Sequence, residues 1–173
     1  MNETITILPE GREKVVLIIT GAEDKGKTAS VKGIFKYFDA LPGRKVVCPY
    51  PYENTEKPLE IKSVLEIDGM KIGFESEGDP RSRLVTEKLK DQLAEGCDLI
   101  VCAARTGLSK PHCRPLIEIL EELKTGHPEY RIICVSNYED QEDKPEQGYC
   151  DSLNDLFVEA AIKLIKRLFP KLP

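Results

Sequence analysis

The stretch that decides the fold is KVVLIITGAEDKGKTASVKGIFKYF, residues 14–38. Its opening run, residues 14–20, is apolar without alternation, the pattern of a strand buried on both faces of a parallel sheet. Further on, Val31, Ile34, Phe35, Phe38 and Leu41 recur at helical spacing and make one apolar face. Pro42-Gly43 closes that helix. Between the two lies a turn bounded by glycines, so the local order is strand, loop, helix.

Working outward, RKVVC at residues 44–48 reads as a second strand, followed by the loop PYPYENTEKP. VLEIDGMKIGF offers two short strands around Asp68-Gly69, a pair favoured where a tight turn needs positive φ at both central residues. Beyond ESEGDP, Asp79 can cap and Pro80 can open a helix carrying Leu84, Val85, Leu89 and Leu93, which Gly96 stops. DLIVCAA is the next buried strand, and RTGLSKPHCR the loop after it. A helix through Leu116, Ile117, Leu120 and Leu123 ends near Gly126, and RIICVS is a further strand. After the polar loop NYEDQEDKPEQGYC, a helix from about residue 152 to 168 repeats Leu153, Leu156, Phe157, Ala160, Leu164 and Leu168.

Buried strands alternating with helices predict an α/β fold. The expected form is a doubly wound, mostly parallel sheet with helices on both faces and one β-hairpin. Residues 1–13 are polar, include Pro9 and Gly11, and read as a flexible arm before a single domain at 14–173. There is no internal repeat or low-complexity tract.

Composition narrows the partners. With 173 residues and 40% hydrophobic content the chain can bury one sizeable core, and its net charge of -5 argues against broad attraction to nucleic acid or anionic membrane. The N-terminus lacks a basic region followed by an apolar stretch, so no signal peptide is expected. The apolar runs are too short to span a bilayer, and a cytoplasmic protein is the expectation. The six cysteines, Cys48, Cys97, Cys102, Cys113, Cys134 and Cys150, show no CxxC spacing and read as reduced. His112 and Cys113 are adjacent, a poor arrangement for sharing one metal ion.

The turn carries the chemistry. Gly21-Ala22-Glu23-Asp24-Lys25-Gly26-Lys27-Thr28 fits G-x-x-x-x-G-K-[ST] at every fixed position. Terminal glycines let the backbone curl close to phosphate, so that main-chain amides from Gly21 to Ala29 form an anion nest at the positive end of the next helix. Lys27 can reach the β- and γ-phosphates, and Thr28 can offer its hydroxyl to Mg²⁺. Lys27 is expected as an exposed loop residue that adds little to stability. On these residues the chain resembles the P-loop NTPase superfamily, and the order of strands and helices extends that resemblance over most of residues 14–169. The resemblance implies Mg-dependent binding of ATP or GTP; it does not imply one reaction.

A second metal-side group is expected at the C-terminal end of a neighbouring strand. Glu75 ends KIGFE, and Glu77 and Asp79 follow; Asp79 before a proline is also an ordinary helix cap. Arg105, at the end of DLIVCAA, is the first choice to meet the γ-phosphate, with Arg81, Arg83 and Arg114 as further candidates. The leading expectation is transfer of the γ-phosphoryl group from ATP to a small acceptor, although no lid-arginine pattern and no Asp-Arg-aromatic signature of nucleotide kinases is present.

Another reading is a regulatory switch hydrolysing ATP or GTP to control a protein partner. ESEG at residues 75–78 resembles D-x-x-G with Glu for Asp, and NYED at 137–140 resembles N-K-x-D with Tyr138 for lysine. In a third, the polar loops 49–60 and 137–150 form a partner surface through Tyr50, Tyr52, Tyr138 and Tyr149.

Overall fold

The computed structural model describes residues 13–21, 26–50, 60–77, 89–105, 115–136 and 147–173. In chain order they form β1 (Lys14–Gly21), α1 (Lys27–Asp39), β2 (Lys45–Tyr50), β3 (Lys62–Ile67), β4 (Met70–Glu75), α2 (Lys90–Ala94), β5 (Leu99–Arg105), α3 (Pro115–Gly126), β6 (Tyr130–Ser136) and α4 (Gln147–Leu168). The six strands make one mixed sheet in the order β2-β3-β4-β5-β1-β6.

The unbroken apolar run becomes an interior strand, with β5 and β6 both paired parallel to β1. Val15, Leu17 and Ile19 pack with Val31, Ile34 and Phe38 of α1 and with Ala161 and Ile165 of α4. Val16 and Ile18 face the other way, toward Ile119 and Leu123 of α3 and toward Leu89. Helices therefore cover both faces, as a strand with no polar side requires. No helix among the described residues is long and apolar enough to cross a membrane.

The far half of the sheet is antiparallel. Asp68 and Gly69 take φ of 50° and 73°, which gives the hairpin turn expected for an Asp-Gly pair. That turn pins Ile67 opposite Met70 and Lys62 opposite Glu75. β2 is also antiparallel to β3, so the sheet is a three-strand meander joined to a parallel set by the β4–β5 pairing, less parallel than the sequence suggests. β2 also runs on through Pro49 and Tyr50, which the sequence reading places in a loop; proline is tolerated there because β2 is an edge strand.

The helices differ from expectation in detail. α4 begins at Gln147 rather than near residue 152, inside the stretch read as loop. On α3 Ile119 and Leu123 are buried and Leu116 and Leu120 pack partly buried beside them as expected, while Ile117 is 45% exposed; on α4 Ala161 and Ile165 are buried and the expected Phe157, Leu164 and Leu168 pack against the core, while Leu156 is 63% exposed. Of the helix expected after Pro80, the described part is Lys90–Ala94, ended by Gly96 at a φ of 64°. Asp79, Pro80, Leu84, Val85 and the arm at 1–12 lie outside the described residues.

Gly73 in β4 marks the tightest approach between sheet and helix. A Cβ there would lie 2.6 Å from Gln92 Cγ and 3.2 Å from Cys97 Sγ. Gln92 cannot swing away at no cost, being fully buried with its Nε2 donating to the Phe74 carbonyl at 3.2 Å. Gly73→Ala should destabilise the fold by about 1–3 kcal/mol through overpacking. An unchanged urea midpoint would contradict this packing.

Candidate functional site

β1 ends at Gly21, whose backbone lies beside that of Arg105, the last residue of β5. The expected ligand arginine thus stands where the turn departs; its side chain lies outside the described residues, as do Ala22, Glu23, Asp24 and Lys25. The chain re-enters at Gly26 with φ 73° and ψ 8°, a left-handed conformation that glycine adopts without steric penalty. Ser30 N then donates to the Gly26 carbonyl at 2.8 Å, closing the first turn of α1. Amides at a helix start have no partner within the helix and carry about half a positive charge in sum. Here they begin at the edge where β1 and β5 end.

Lys27 is the first residue of α1 and only 9% exposed. This corrects the expectation of an exposed loop lysine: its replacement disturbs packing as well as charge, since the aliphatic stem of a lysine contributes apolar contact. Thr28 Oγ1 donates to the Ser76 carbonyl at 3.2 Å. A hydroxyl has one proton and two lone pairs, so committing the proton to the main chain leaves the oxygen an acceptor for a cation. Ala29 is exposed.

Glu75 closes β4 and is fully buried, its Oε1 accepting from Glu77 N at 3.0 Å. The sequence reading seeks such a carboxylate on a strand next to β1; in the structure β5 intervenes. The Thr28–Ser76 contact brings the next residue's carbonyl to α1, while the Glu75 side chain shares the face of Cys102, opposite α1. Glu75 stands in register with Cys102 on β5. Burial pushes the Cys102 thiol well up, and the negative charge of Glu75 and then Cys134 add to the rise. Burial likewise pushes Cys97 up to about 12, against the pull of Lys71.

Ser76 is a residue the sequence reading passes over. It is fully buried; its N donates to the Ile61 carbonyl at 2.9 Å, its Oγ accepts from Ile61 N at 2.6 Å, and its hydroxyl donates to Glu60 Oε2. Ser30, also passed over, lies with its Oγ 3.0 Å from the Gly26 carbonyl and 2.7 Å from Asn154 Oδ1, tying the start of α1 to α4. One edge of the sheet therefore gathers Gly21, Gly26, Lys27, Thr28, Glu75 and the backbone of Arg105. Asp79, Arg81, Arg83, Arg114 and the NYED stretch at 137–140 lie outside the described residues, as do the side chains of Tyr50, Tyr52, Tyr138 and Tyr149.

Among the described residues no group of three or more His, Cys, Asp or Glu side chains is placed to hold a metal ion. Thr28 and Glu75 offer oxygen atoms of the kind Mg²⁺ prefers, but the Glu75 side chain shares the sheet face of Cys102, whereas α1 packs on the face of Phe74 and Val101. The Cys102 thiol is in its neutral form and serves as apolar filling rather than as a nucleophile. Raised pKa values mean less thiolate at any pH below them, so Cys102 and Cys97 should resist alkylation at pH 8. Cys134 is exposed and, although burial raises its thiol too, should be labelled at least about tenfold faster in the native protein. Mass-spectrometric mapping of the labelled peptides checks this order.

No protein-family model, no curated protein and no solved structure matches the chain.

Proposed function

We propose that the chain binds a nucleoside triphosphate, ATP in preference to GTP, together with Mg²⁺ at the edge where α1 begins, and passes the γ-phosphoryl group to a small acceptor. In this reading the fold is that of a P-loop NTPase. One observation carries it: Gly26-Lys27-Thr28 opens α1 with Gly26 left-handed, and the Thr28 hydroxyl meets Ser76 directly beside the buried Glu75. A chance match to G-x-x-x-x-G-K-[ST] has no reason to sit between a buried strand and a helix start.

Each residue then has a task. Main-chain amides of Gly21 to Ala29 hold the phosphates and exclude water from their inner side. Lys27 neutralises charge on the β- and γ-phosphates, and its burial increases the worth of that charge because the surroundings screen it less. Thr28 would present its oxygen to the cation while its hydroxyl goes on donating to the Ser76 carbonyl. Glu75, or Asp79 beyond it, orients a water on the metal side, and Arg105 faces the phosphate that leaves. Bound Mg²⁺ supplies neutralisation of the charge that develops on the transferred group.

The second reading, a switch that hydrolyses ATP or GTP slowly and signals to a protein, is favoured by the position of the ESE stretch. Ser76 touches the start of α1 through Thr28, so a change at the phosphates reaches that segment directly. Phosphate release separates the two: ADP formation stimulated by a nucleoside or small alcohol supports transfer, and slow release indifferent to every acceptor supports the switch.

Lys27→Met keeps the apolar stem and removes the charge. It should weaken ATP binding by at least about 100-fold, near 3 kcal/mol, with the urea midpoint close to that of the parent; calorimetric titration showing equal affinity would refute the assignment. Glu75→Gln and Asp79→Asn should differ. Whichever group serves the metal side will raise the Mg²⁺ concentration needed for half-maximal binding, and a loss in Asp79→Asn confined to thermal stability identifies that residue as a cap.

A further inference from the structure

Where the β3–β4 ladder ends, its hydrogen bonding departs from the regular pattern. In an antiparallel pair, opposed residues that bond exchange two N–H···O=C links. Ser76 N gives to the Ile61 carbonyl at 2.9 Å, so the return bond should run from Ile61 N to the Ser76 carbonyl. Instead Ile61 N gives to Ser76 Oγ at 2.6 Å, and the Ser76 carbonyl accepts from Thr28 Oγ1 at 3.2 Å. The serine side chain has taken the place of its own carbonyl in the ladder. Glu60 accepts the serine proton at Oε2, which turns a lone pair of the hydroxyl toward Ile61 N.

We infer that Ser76 and Glu60 are positioning residues for the cation: by substituting a side chain for a main-chain acceptor, they release the Ser76 carbonyl to hold the Thr28 proton and so aim the Thr28 oxygen at Mg²⁺. This rests on the triphosphate reading above. It adds that affinity for the metal, rather than for the phosphates, is set from β3 and β4. Thr28 is 48 residues from Ser76 in sequence, and Ser76 is fully buried while Glu60 is half-buried. The arrangement also explains why a polar side chain occupies a buried ladder end. The side chain makes two hydrogen bonds there, with Ile61 N and Glu60, and the Ser76 main chain makes two more, with the Ile61 carbonyl and Thr28.

The consequence for substitution is specific. In Ser76→Ala the ladder can revert to its regular form, with Ile61 N bonding the main-chain carbonyl of residue 76; the fold survives and Thr28 loses its acceptor. Glu60→Ala frees the serine hydroxyl to turn, with the same effect in a weaker form. Glu60→Gln keeps an oxygen acceptor and should restore the parent behaviour. The test is calorimetric titration of the full chain with a non-hydrolysable ATP analogue in MgCl₂ and again in EDTA.

The parent should bind more tightly with Mg²⁺. That gain should shrink about tenfold in Ser76→Ala and several-fold in Glu60→Ala, with EDTA affinities within about twofold of the parent and Glu60→Gln near it. A gain left intact in both alanine variants would overturn the inference, as would equal losses in MgCl₂ and EDTA, which mark a general disturbance of the phosphate loop. Should Ser76→Ala fail to fold, Glu60→Ala and Glu60→Gln decide alone. A parent that binds no triphosphate under either condition would instead fell the underlying reading, an outcome distinct from a parent that binds while its variants keep the full Mg²⁺ gain.

Discussion

Everything in this molecule is arranged around a strand that has no side for water. Val15 to Ile19 of β1 are without exposure, and burying each such side chain is worth about 1.5–3 kcal/mol, an upper figure because unfolded chains are already partly compact. A strand of that kind must be interior and roofed on both faces. Hence β5 and β6 flank it, α1 and α4 close one face, and α3 with the segment at Leu89 closes the other. Once β1 is held so firmly, the place where its chain turns into α1 is held too.

The antiparallel half solves a different problem, that of delivering a main-chain carbonyl to that place from a distance. The Asp68-Gly69 turn fixes the register of β3 on β4, and the parallel β4–β5 pairing fixes β4 on the interior set. Glu75 and Ser76 thereby arrive at the same edge as Gly21, although one strand lies between. Close packing at Gly73, where nothing larger than hydrogen fits against Gln92 and Cys97, keeps β4 seated under its covering segment. Position at the edge is thus inherited from packing well inside the sheet.

How much of this is legible in the sequence depends on whether a residue's fate is decided locally. β1 is legible because an unbroken apolar run admits few alternatives, and the hairpin because positive φ at two successive residues needs the Asp-Gly pair. Counting outward from that turn sets Ile61 opposite Ser76, so the serine clamp was within reach of the register although no motif announces it. On α3, Leu116, Ile117, Ile119 and Leu120 offer two possible apolar stripes, and only the sheet's position decides that Ile119 is buried and Ile117 is not. The polar residues at the start of α4 carry no apolar period at all, which is why the helix starts earlier than the pattern suggests. The burial of Lys27 is the least legible feature, because a charged side chain ordinarily argues for exposure.

That burial bears on function. Removing an ammonium or a carboxylate from water costs several kcal/mol, and well-packed apolar residues in the same places often serve stability as well or better. A fold optimised for its own stability has no reason to keep Lys27 and Glu75 at under a tenth exposed on a single edge, one opening a helix and the other ending a strand. In the proposed reading, the lysine charge acts most strongly where water cannot screen it and is already desolvated before a phosphate arrives. The motif at residues 21–28 states the same requirement in backbone terms, since glycine at its close is what lets α1 begin facing that edge. Lys27 is itself a fixed position of that motif, so sequence pattern and charge burial meet in one side chain.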